Sequence, residues 1–367
     1  SIGGPAIGND GAGAARFRDS DDTTRAVLVD SVTMNPAVAQ FRRRVVSISS
    51  IIIGCAVVSA LLPALLVVAL FIDLLRRRSD LVTSRLALML WCFLGVETLG
   101  LFELLAIWLT TNAQSEARMQ RTYAATRHFT QRHLAAVTRI FALTFKVTGE
   151  ELVVPGPLVI FVRHSSLVDV LIPSRFIANV HQIDLRYVIK RELLIDPCLD
   201  IGGHFTPNHF VDRSGRHTAK EAAAIAQLKR GLQANQGVGI YPEGTRFSRR
   251  KRDALLGRLK GPARARAEKL RHLLPIHSGG AMTLLAAQPK CNVLFVGHHG
   301  LEGLTQLADI WQGKLYGRTV TVQFWRERGE TIPESRDEQR HFVDSCWQRI
   351  DDWLETISNP TETPKLV

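Results

Sequence analysis

The sequence predicts an α/β fold, a mixed β-sheet flanked by helices, with apolar helices in front of it. Between residues 117 and 358, short apolar runs of strand length alternate with stretches of helical periodicity, which is typical of a sheet covered by helices. Two long apolar stretches precede this region. The chain of 367 residues has ample length for both parts and for one sizeable core.

The N-terminal part is predicted to be a flexible segment followed by a transmembrane helix. Residues 1–43 are rich in Gly, Ala and Asp and lack apolar periodicity. The helix is predicted over residues 44–76, where the run Val45–Leu75 contains Asp73 as its single charged residue. This run exceeds the roughly 20 apolar residues that cross a bilayer, and it is too long for a cleaved signal peptide. We therefore expect the chain to be anchored in a membrane.

The second apolar stretch, residues 84–111, leaves two interpretations open. It contains Glu97 and Glu103, which are costly in lipid unless they face protein or water. The stretch is either the return helix of a membrane hairpin or a helix that lies in the membrane interface.

The region 117–358 is predicted to be the globular domain, followed by a C-terminal tail at residues 359–367. Its last helix is predicted over Glu334–Ile357. The other predicted helices are Ala219–Ala234 and Gly280–Ala287, and the predicted strands are Leu158–Val162, Leu185–Ile189, Val238–Tyr241, Val293–Val296 and Val320–Phe324.

Composition restricts the partners. Lys and Arg number 46 against 34 Asp and Glu, a net charge of +12, which favours anionic partners such as phospholipid or phosphorylated substrates. The sequence lacks RNA- and DNA-binding signatures, so no nucleic-acid partner is expected. The five cysteines are scattered without CxxC spacing, which predicts neither a disulfide framework nor a zinc site and favours a reducing, cytosol-facing location. Three histidine pairs (204 and 209, 272 and 277, 298 and 299) lack an accompanying carboxylate cluster, so no metal is expected.

Two short motifs carry the predicted chemistry. His164 follows the predicted strand Leu158–Val162, and Ser165 or Ser166 would cap a helix in which Asp169 lies about one turn from the start. A carboxylate that holds one imidazole nitrogen fixes the tautomer and leaves the other nitrogen to accept a proton from an attacking hydroxyl. Downstream, the turn Pro242–Arg246 follows another strand, and its glycine, amides and arginine suit a phosphate.

In this order the motifs resemble those of the glycerolipid acyltransferases, in particular the 1-acyl-sn-glycerol-3-phosphate (lysophosphatidate) acyltransferases. That family has four ordered blocks, and Lys190–Leu193 is similar to its basic stretch between the first two. The blocks are similar to His164–Asp169, Phe210–Arg213, Glu243–Arg246 and the proline segment from Leu274 through Pro275 to Gly279.

The resemblance implies a glycerolipid acyltransferase-like fold, general-base catalysis by His164 with Asp169 as its orienting carboxylate, and direct attack of the acceptor hydroxyl on a thioester. It implies acyl-CoA as co-substrate without a further cofactor, a lysophospholipid acceptor, and a membrane location with the site on the cytoplasmic face. Arg213 and Arg246 would hold the acceptor phosphate. The basic stretch from Arg249 to Arg271 would be a solvated face, lie on anionic lipid or meet the phosphates of CoA. The implied substrate-binding residues are Lys190, Arg213, Glu243, Gly244, Thr245, Arg246 and Pro275.

Departures from the family pattern leave the acceptor open. Arg163 replaces the usual Asn before the histidine, Pro207 stands where a glycine is expected, and Ile276 begins a segment that usually carries basic residues. The alternatives are an acyltransferase for another lysophospholipid or an aminolipid, or a non-catalytic lipid-binding membrane protein. The intact pair His164 and Asp169 argues against the last, because a binding protein does not need a base. The donor is either acyl-CoA or an acyl carrier protein thioester.

Overall fold

A computed structural model describes residues 35–212, 218–287 and 290–359. The chain divides into two compact units at Val46. In the first unit, residues 36–46 are the start of the first helix. The predicted flexible segment lies largely outside the described residues, as does most of the predicted C-terminal tail. All contacts described below lie within the second unit.

Two helices, α1 (Pro36–Leu75) and α2 (Val82–Thr110), open the described chain. They pack antiparallel, since Trp91 Nε1 donates to Ser59 Oγ at 3.0 Å. At the turn between them, the carboxylate of Asp73 accepts the backbone N–H groups of Thr83 and Ser84, which caps the start of α2. The single charged residue of the first apolar run therefore ends one helix and begins the next.

Both helices are long and apolar enough to cross a membrane, over Ala37–Leu75 and Val82–Thr110. Large apolar side chains such as Val67, Phe71 and Phe102 are exposed on them. The predicted segments 44–76 and 84–111 agree with α1 and α2 except that α1 begins earlier. The second stretch therefore forms a helix that returns beside the first.

The two glutamates of α2 face protein. Glu97 is buried with one carboxylate oxygen 3.6 Å from His133 Nε2, and Glu103 pairs with Arg132 at 2.7 Å. Both partners lie on α3 (Glu116–Phe141), a helix that was not predicted from the sequence. The α2–α3 contact therefore removes the polar groups of α2 from any lipid-facing side.

The globular part is built on a seven-stranded mixed sheet in the order β1-β7-β6-β2-β5-β3-β4. The five strands from β6 to β4 run parallel, while β7 is antiparallel to β6 and β1 is parallel to β7. The strands are β1 (Thr144–Thr148), β2 (Leu158–Val162), β3 (Asp184–Lys190), β4 (His209–Val211), β5 (Gln236–Ile240), β6 (Asn292–His299) and β7 (Thr319–Glu327).

Helices cover both faces of the sheet. Leu158 and Ile160 of β2 belong to an apolar core on one face, whereas Val159 and Phe161 belong to a second core on the other, as the period of two in a strand requires. The remaining helices are α4 (Leu171–Pro173, continued by a π-helical turn at Ser174–Asn179), α5 (Pro197–Phe205), α6 (Thr218–Gln227), α7 (Arg249–Leu256), α8 (Gly261–Lys269), α9 (Ser278–Ala286), α10 (Leu307–Trp311) and α11 (Arg336–Ser358).

The predicted mixed sheet flanked by helices is confirmed, and each of the five predicted strands coincides with a strand of the sheet. The edge strands β1 and β4 were missed. The helix predicted over Ala219–Ala234 was too long, since α6 ends at Gln227 and tight turns follow.

Candidate active site

The two predicted motifs meet at the carboxyl ends of the neighbouring parallel strands β2 and β5. The backbone N–H of His164 donates to Glu243 Oε1 at 2.8 Å, and its carbonyl oxygen accepts from the N–H of Phe247 at 2.7 Å. The turn after β5 therefore holds the backbone of the histidine on both sides. Ligands of open parallel sheets bind at this edge.

The side chain of His164 faces the carboxylate of Asp169. Nδ1 lies 3.2 Å from Oδ1 and 3.3 Å from Oδ2, and the imidazole packs beside the ring of Tyr241. The histidine side chain keeps 15% of its surface exposed while Asp169 is fully buried. Because Nδ1 donates to the carboxylate, Nε2 is the nitrogen that can accept a proton.

Asp169 lies in a turn and not in a helix, which corrects the predicted local structure. The Ser166 hydroxyl accepts the N–H groups of Val168 and Asp169, so it caps a turn that precedes α4, which begins only at Leu171. In this turn Asp169 Oδ2 accepts the N–H groups of Ser165 at 2.6 Å and Ser166 at 2.8 Å. The tight turn therefore lets a carboxylate five residues away reach back to the imidazole.

Asp169 is held in its ionised form. Burial opposes the charge, but the hydrogen bond from His164 and the nearby imidazole of His298, 3.6 Å away, outweigh it and lower the pKa of this carboxyl below its ordinary value. An ionised partner is what a general-base histidine needs, since it stabilises the imidazolium that forms.

The carboxylate of Glu243 accepts hydrogen bonds from two backbone N–H groups. Its second carboxylate oxygen accepts the N–H of Leu274 at 3.0 Å, so one side chain joins the His164 turn to the segment that precedes Pro275. Desolvation raises the pKa of Glu243 to about 8 against the two backbone donors and the Arg163 charge. Its buried position favours a role in holding the site together over direct substrate contact.

Gly244, Thr245 and Arg246 complete the turn that begins at Glu243. Gly244 has φ +71°, a left-handed conformation that favours glycine. The hydroxyl of Thr245 accepts from Lys251 Nζ at 2.8 Å, and Arg246 Nη1 donates to the carbonyl oxygen of Thr305 at 3.0 Å. The arginine side chain is partly exposed, and one of its five N–H donors makes that bond.

The other predicted substrate-binding residues differ in how they stand to this site. Lys190 ends β3, which is two strands away from β2 at the same edge of the sheet. Pro275 follows Leu274, whose amide is bound by Glu243 and whose carbonyl accepts from Trp347 Nε1. Arg213 lies outside the described residues.

Arg163, the first departure from the family pattern, points away from the substrate side. Its guanidinium is fully buried, pairs with Glu302 and donates to the carbonyl oxygens of His298 and His272. It joins β6 to the segment after α8. An arginine beside the histidine is therefore a structural cation with a carboxylate partner.

The sequence reasoning missed His298 as a site residue. It lies near the end of β6, the other neighbour of β2, and its Nε2 is 3.6 Å from Asp169 Oδ2. The paired histidines after an apolar strand were a visible signal, but only the strand order places them beside His164. Over the described ranges, no group of three or more His, Cys, Asp or Glu is arranged to hold a metal ion.

The chain is similar to a protein-family model and to a solved structure. Residues 144–295 match the family model described as Acyltransferase, a segment that contains both motifs. The chain is also similar to the crystal structure of the 1-acyl-sn-glycerophosphate (LPA) acyltransferase PlsC from Thermotoga maritima, at 20% identity over 74% of this chain and 96% of that one, with a TM-score of 0.48. No curated protein matches the chain. The similarity to the Acyltransferase family is therefore carried by residues 144–295, the part of the chain that holds both motifs.

Proposed function

We propose that the protein is a membrane-bound acyltransferase that moves an acyl group from acyl-CoA to the free hydroxyl of lysophosphatidate, giving phosphatidate. The observation that carries this proposal is the His164–Asp169 pair, held by the turn that contains Arg246. A histidine base suits proton removal from an attacking substrate hydroxyl, and an arginine in the turn that holds the histidine suits a phosphate-bearing acceptor.

In the proposed reaction, His164 Nε2 accepts the proton of the acceptor hydroxyl as that oxygen attacks the thioester carbonyl carbon. The carbon–sulfur bond then breaks, and the leaving thiolate takes the proton back from the imidazolium. No acyl-enzyme forms, because the acceptor is itself the nucleophile. Asp169 remains ionised throughout and stabilises the imidazolium.

The acceptor phosphate would be bound by Arg246 and Arg213, with Gly244 and Thr245 completing the pocket and Lys190 as a further cation at the same sheet edge. Glu243 and the segment at Pro275 would hold this pocket from behind. The helical hairpin α1–α2 would keep the domain at the membrane, where the acyl donor and the lysophosphatidate acceptor meet, with the site on the cytoplasmic face.

The test uses the full chain in detergent with acyl-CoA and a panel of acceptors, followed by mass analysis of the products. The panel holds lysophosphatidate, lysophospholipids with other head groups and an aminolipid. We expect phosphatidate, and we expect His164→Ala to lower its rate by about 10²–10⁴-fold. Product from another acceptor alone would replace lysophosphatidate in the proposal, and full activity of His164→Ala would contradict the base assignment.

Two further arms separate the donor and the phosphate site. Acyl carrier protein thioester in place of acyl-CoA identifies the donor. Arg246→Ala should raise the KM for the acceptor about tenfold or more and leave the KM for the donor within about twofold. Arg328→Ala, at an exposed arginine outside the basic stretch 249–271, is the matched control. Equal effects of the two variants would argue against a phosphate contact at Arg246.

A further inference from the structure

His298 is a second histidine beside the carboxylate that faces His164. Its side chain is fully buried, and its Nε2 lies 3.0 Å from the carbonyl oxygen of Arg163 and 3.6 Å from Asp169 Oδ2. Both neighbours are hydrogen-bond acceptors. Nε2 must therefore carry a proton.

The protonation state of the whole ring follows from its other nitrogen. Nδ1 of His298 is buried, and among the described residues it has no hydrogen-bond partner. A second proton there would leave an unpaired N–H and a charge in the interior. The buried guanidinium of Arg163, which donates to the backbone carbonyl of His298, adds a positive charge next to the ring. The ring therefore presents one N–H, at Nε2, to these two acceptors.

The backbone explains why this N–H is needed. The N–H of Arg163 still donates to Val296 in the ladder between β2 and β6. The chain then leaves the sheet at His164, and the His298 side chain supplies the donor for the Arg163 carbonyl. The same donor faces the carboxylate that orients the base.

We propose that His298 is a positioning residue for His164. Its Nε2 N–H holds the carboxylate of Asp169 and the carbonyl oxygen of Arg163, the residue at which the chain leaves β2, and these contacts set the orientation and basicity of His164. This inference rests on the proposed role of His164 as general base. The titratable and charged groups near the ring are Asp169, His164, His299, and Arg163 with its partner Glu302. Tyr241 and Glu243 also lie near Asp169. His298 lies beyond the segment matched by the family model.

The proposal predicts that the titration of His164 changes while the binding of donor and acceptor does not. Removing the N–H leaves the Asp169 charge less compensated, so the imidazolium of His164 is favoured and its pKa rises. In His298→Phe we expect kcat at neutral pH to fall about tenfold or more, the KM values for donor and acceptor to stay within about twofold, and the acid limb of the rate profile to move up by about one pH unit. His298→Gln keeps an N–H donor near the position of Nε2 and should restore both.

The experiment measures His164 directly in the full chain. Diethyl pyrocarbonate modifies the neutral imidazole, and mass analysis of the His164 peptide as a function of pH gives the midpoint of its titration. The midpoint should rise in His298→Phe, return in His298→Gln, and not respond to His298→Phe in an Asp169→Asn background. His299→Phe, which changes the next and partly exposed histidine, is the matched control.

Three outcomes would overturn the proposal: an unchanged midpoint in His298→Phe, the same shift in His299→Phe, or the same shift with and without Asp169. Loss of activity with an unchanged midpoint and a lower Tm would show that the residue only stabilises the fold. The midpoint does not require turnover. A wild-type protein that fails to acylate any lyso-acceptor, yet shows the predicted shifts, would contradict the proposed function and leave this inference standing.

Discussion

Both carboxylate oxygens of Glu243 accept backbone N–H groups, one from the His164 turn and one from the segment before Pro275. In sequence this residue belongs to a motif that suggests ligand binding. In the structure it joins two loops, one at His164, 79 residues before it, and one at Leu274, 31 residues after it. At the scale of single residues, position in a motif therefore does not specify whether a side chain meets the substrate or the backbone.

Burial of Glu243 predicts a measurable pH dependence of stability. Its pKa is about 8 in the folded protein against an ordinary value of 4.5, so the folded state binds more protons between these pH values. The free energy of unfolding is then highest below pH 4.5 for this group and is lost as the pH rises through 8. Glu243→Gln should flatten this decline and cost about 1–3 kcal/mol at low pH, because its amide meets a backbone N–H.

The measurement is the Tm in detergent from pH 5 to about pH 8.5. Glu334→Gln, an exposed glutamate, serves as control and should follow the wild-type pH dependence. A decline in Glu243→Gln as steep as in the wild type would show that this carboxyl does not titrate in that window.

At the scale of elements, the sequence predicted the central strands, whose apolar pattern follows from burial on both faces of the sheet. The strands β2, β5 and β6 are buried along almost their whole length because helices cover both faces of the sheet, and β2 and β6 contain the apolar runs Leu158–Val162 and Val293–Val296. The edge strand β4 has three partly buried residues and β1 alternates between exposed and partly buried positions, so neither gives a comparable signal. The amphipathic helix α3 was missed because its many polar residues obscure a narrow apolar stripe.

The contact of α2 with α3 and α5 gives a prediction with a control in the same helix. A Cβ at Gly100 would lie 2.9 Å from Cys198 Sγ and 2.9 Å from Phe129 Cδ2, whereas a Cβ at Gly95 would meet nothing within 4 Å. Gly100→Ala should cost about 1–3 kcal/mol through overpacking. Gly95→Ala should be neutral or stabilise by about 0.5–1 kcal/mol, because alanine favours the helix. Thermal unfolding in detergent compares the two, and equal Tm values would contradict the close packing.

The region from the start of α7 to Arg271, just after α8, carries most of the net charge of the chain. Residues 249–271 contain ten basic and two acidic side chains, a net charge of +8 out of +12. The region follows directly on the 243–246 turn, to which Lys251 is bonded. Such a field raises the local concentration of a polyanionic substrate.

We expect replacement of Arg249, Arg258, Lys260 and Lys269 by Gln to raise the KM for a CoA thioester about tenfold at low salt. The wild-type KM should approach the variant value at high salt, where charges are screened. The control replaces the exposed residues Arg139, Lys146, Arg328 and Arg336 by Gln, which removes the same charge elsewhere. Equal effects of the two sets would assign the attraction to net charge alone.

At the scale of the whole molecule, the α1–α2 hairpin presents exposed apolar side chains on a chain whose globular part is strongly basic. An apolar hairpin of this length is retained by hydrophobic burial, which salt does not weaken. We predict that the full chain stays with membranes after washing with concentrated salt and with alkaline carbonate. Release by salt alone would show that the basic surface, and not the hairpin, holds the protein on the membrane.

The sequence by itself determined the apolar hairpin segments, the central strands and the order of the motifs, because these depend on local hydrophobicity and on residue identity. The pairing of His164 with Asp169 was also within reach, since five residues and a serine cap restrict the turn. Only the tertiary structure decided that Glu243 holds the backbone of His164, that Arg163 pairs with Glu302, and that His298 lies beside Asp169. These contacts depend on β2 lying between β5 and β6, strands that begin more than seventy residues after it, and strand order is a property of the folded sheet.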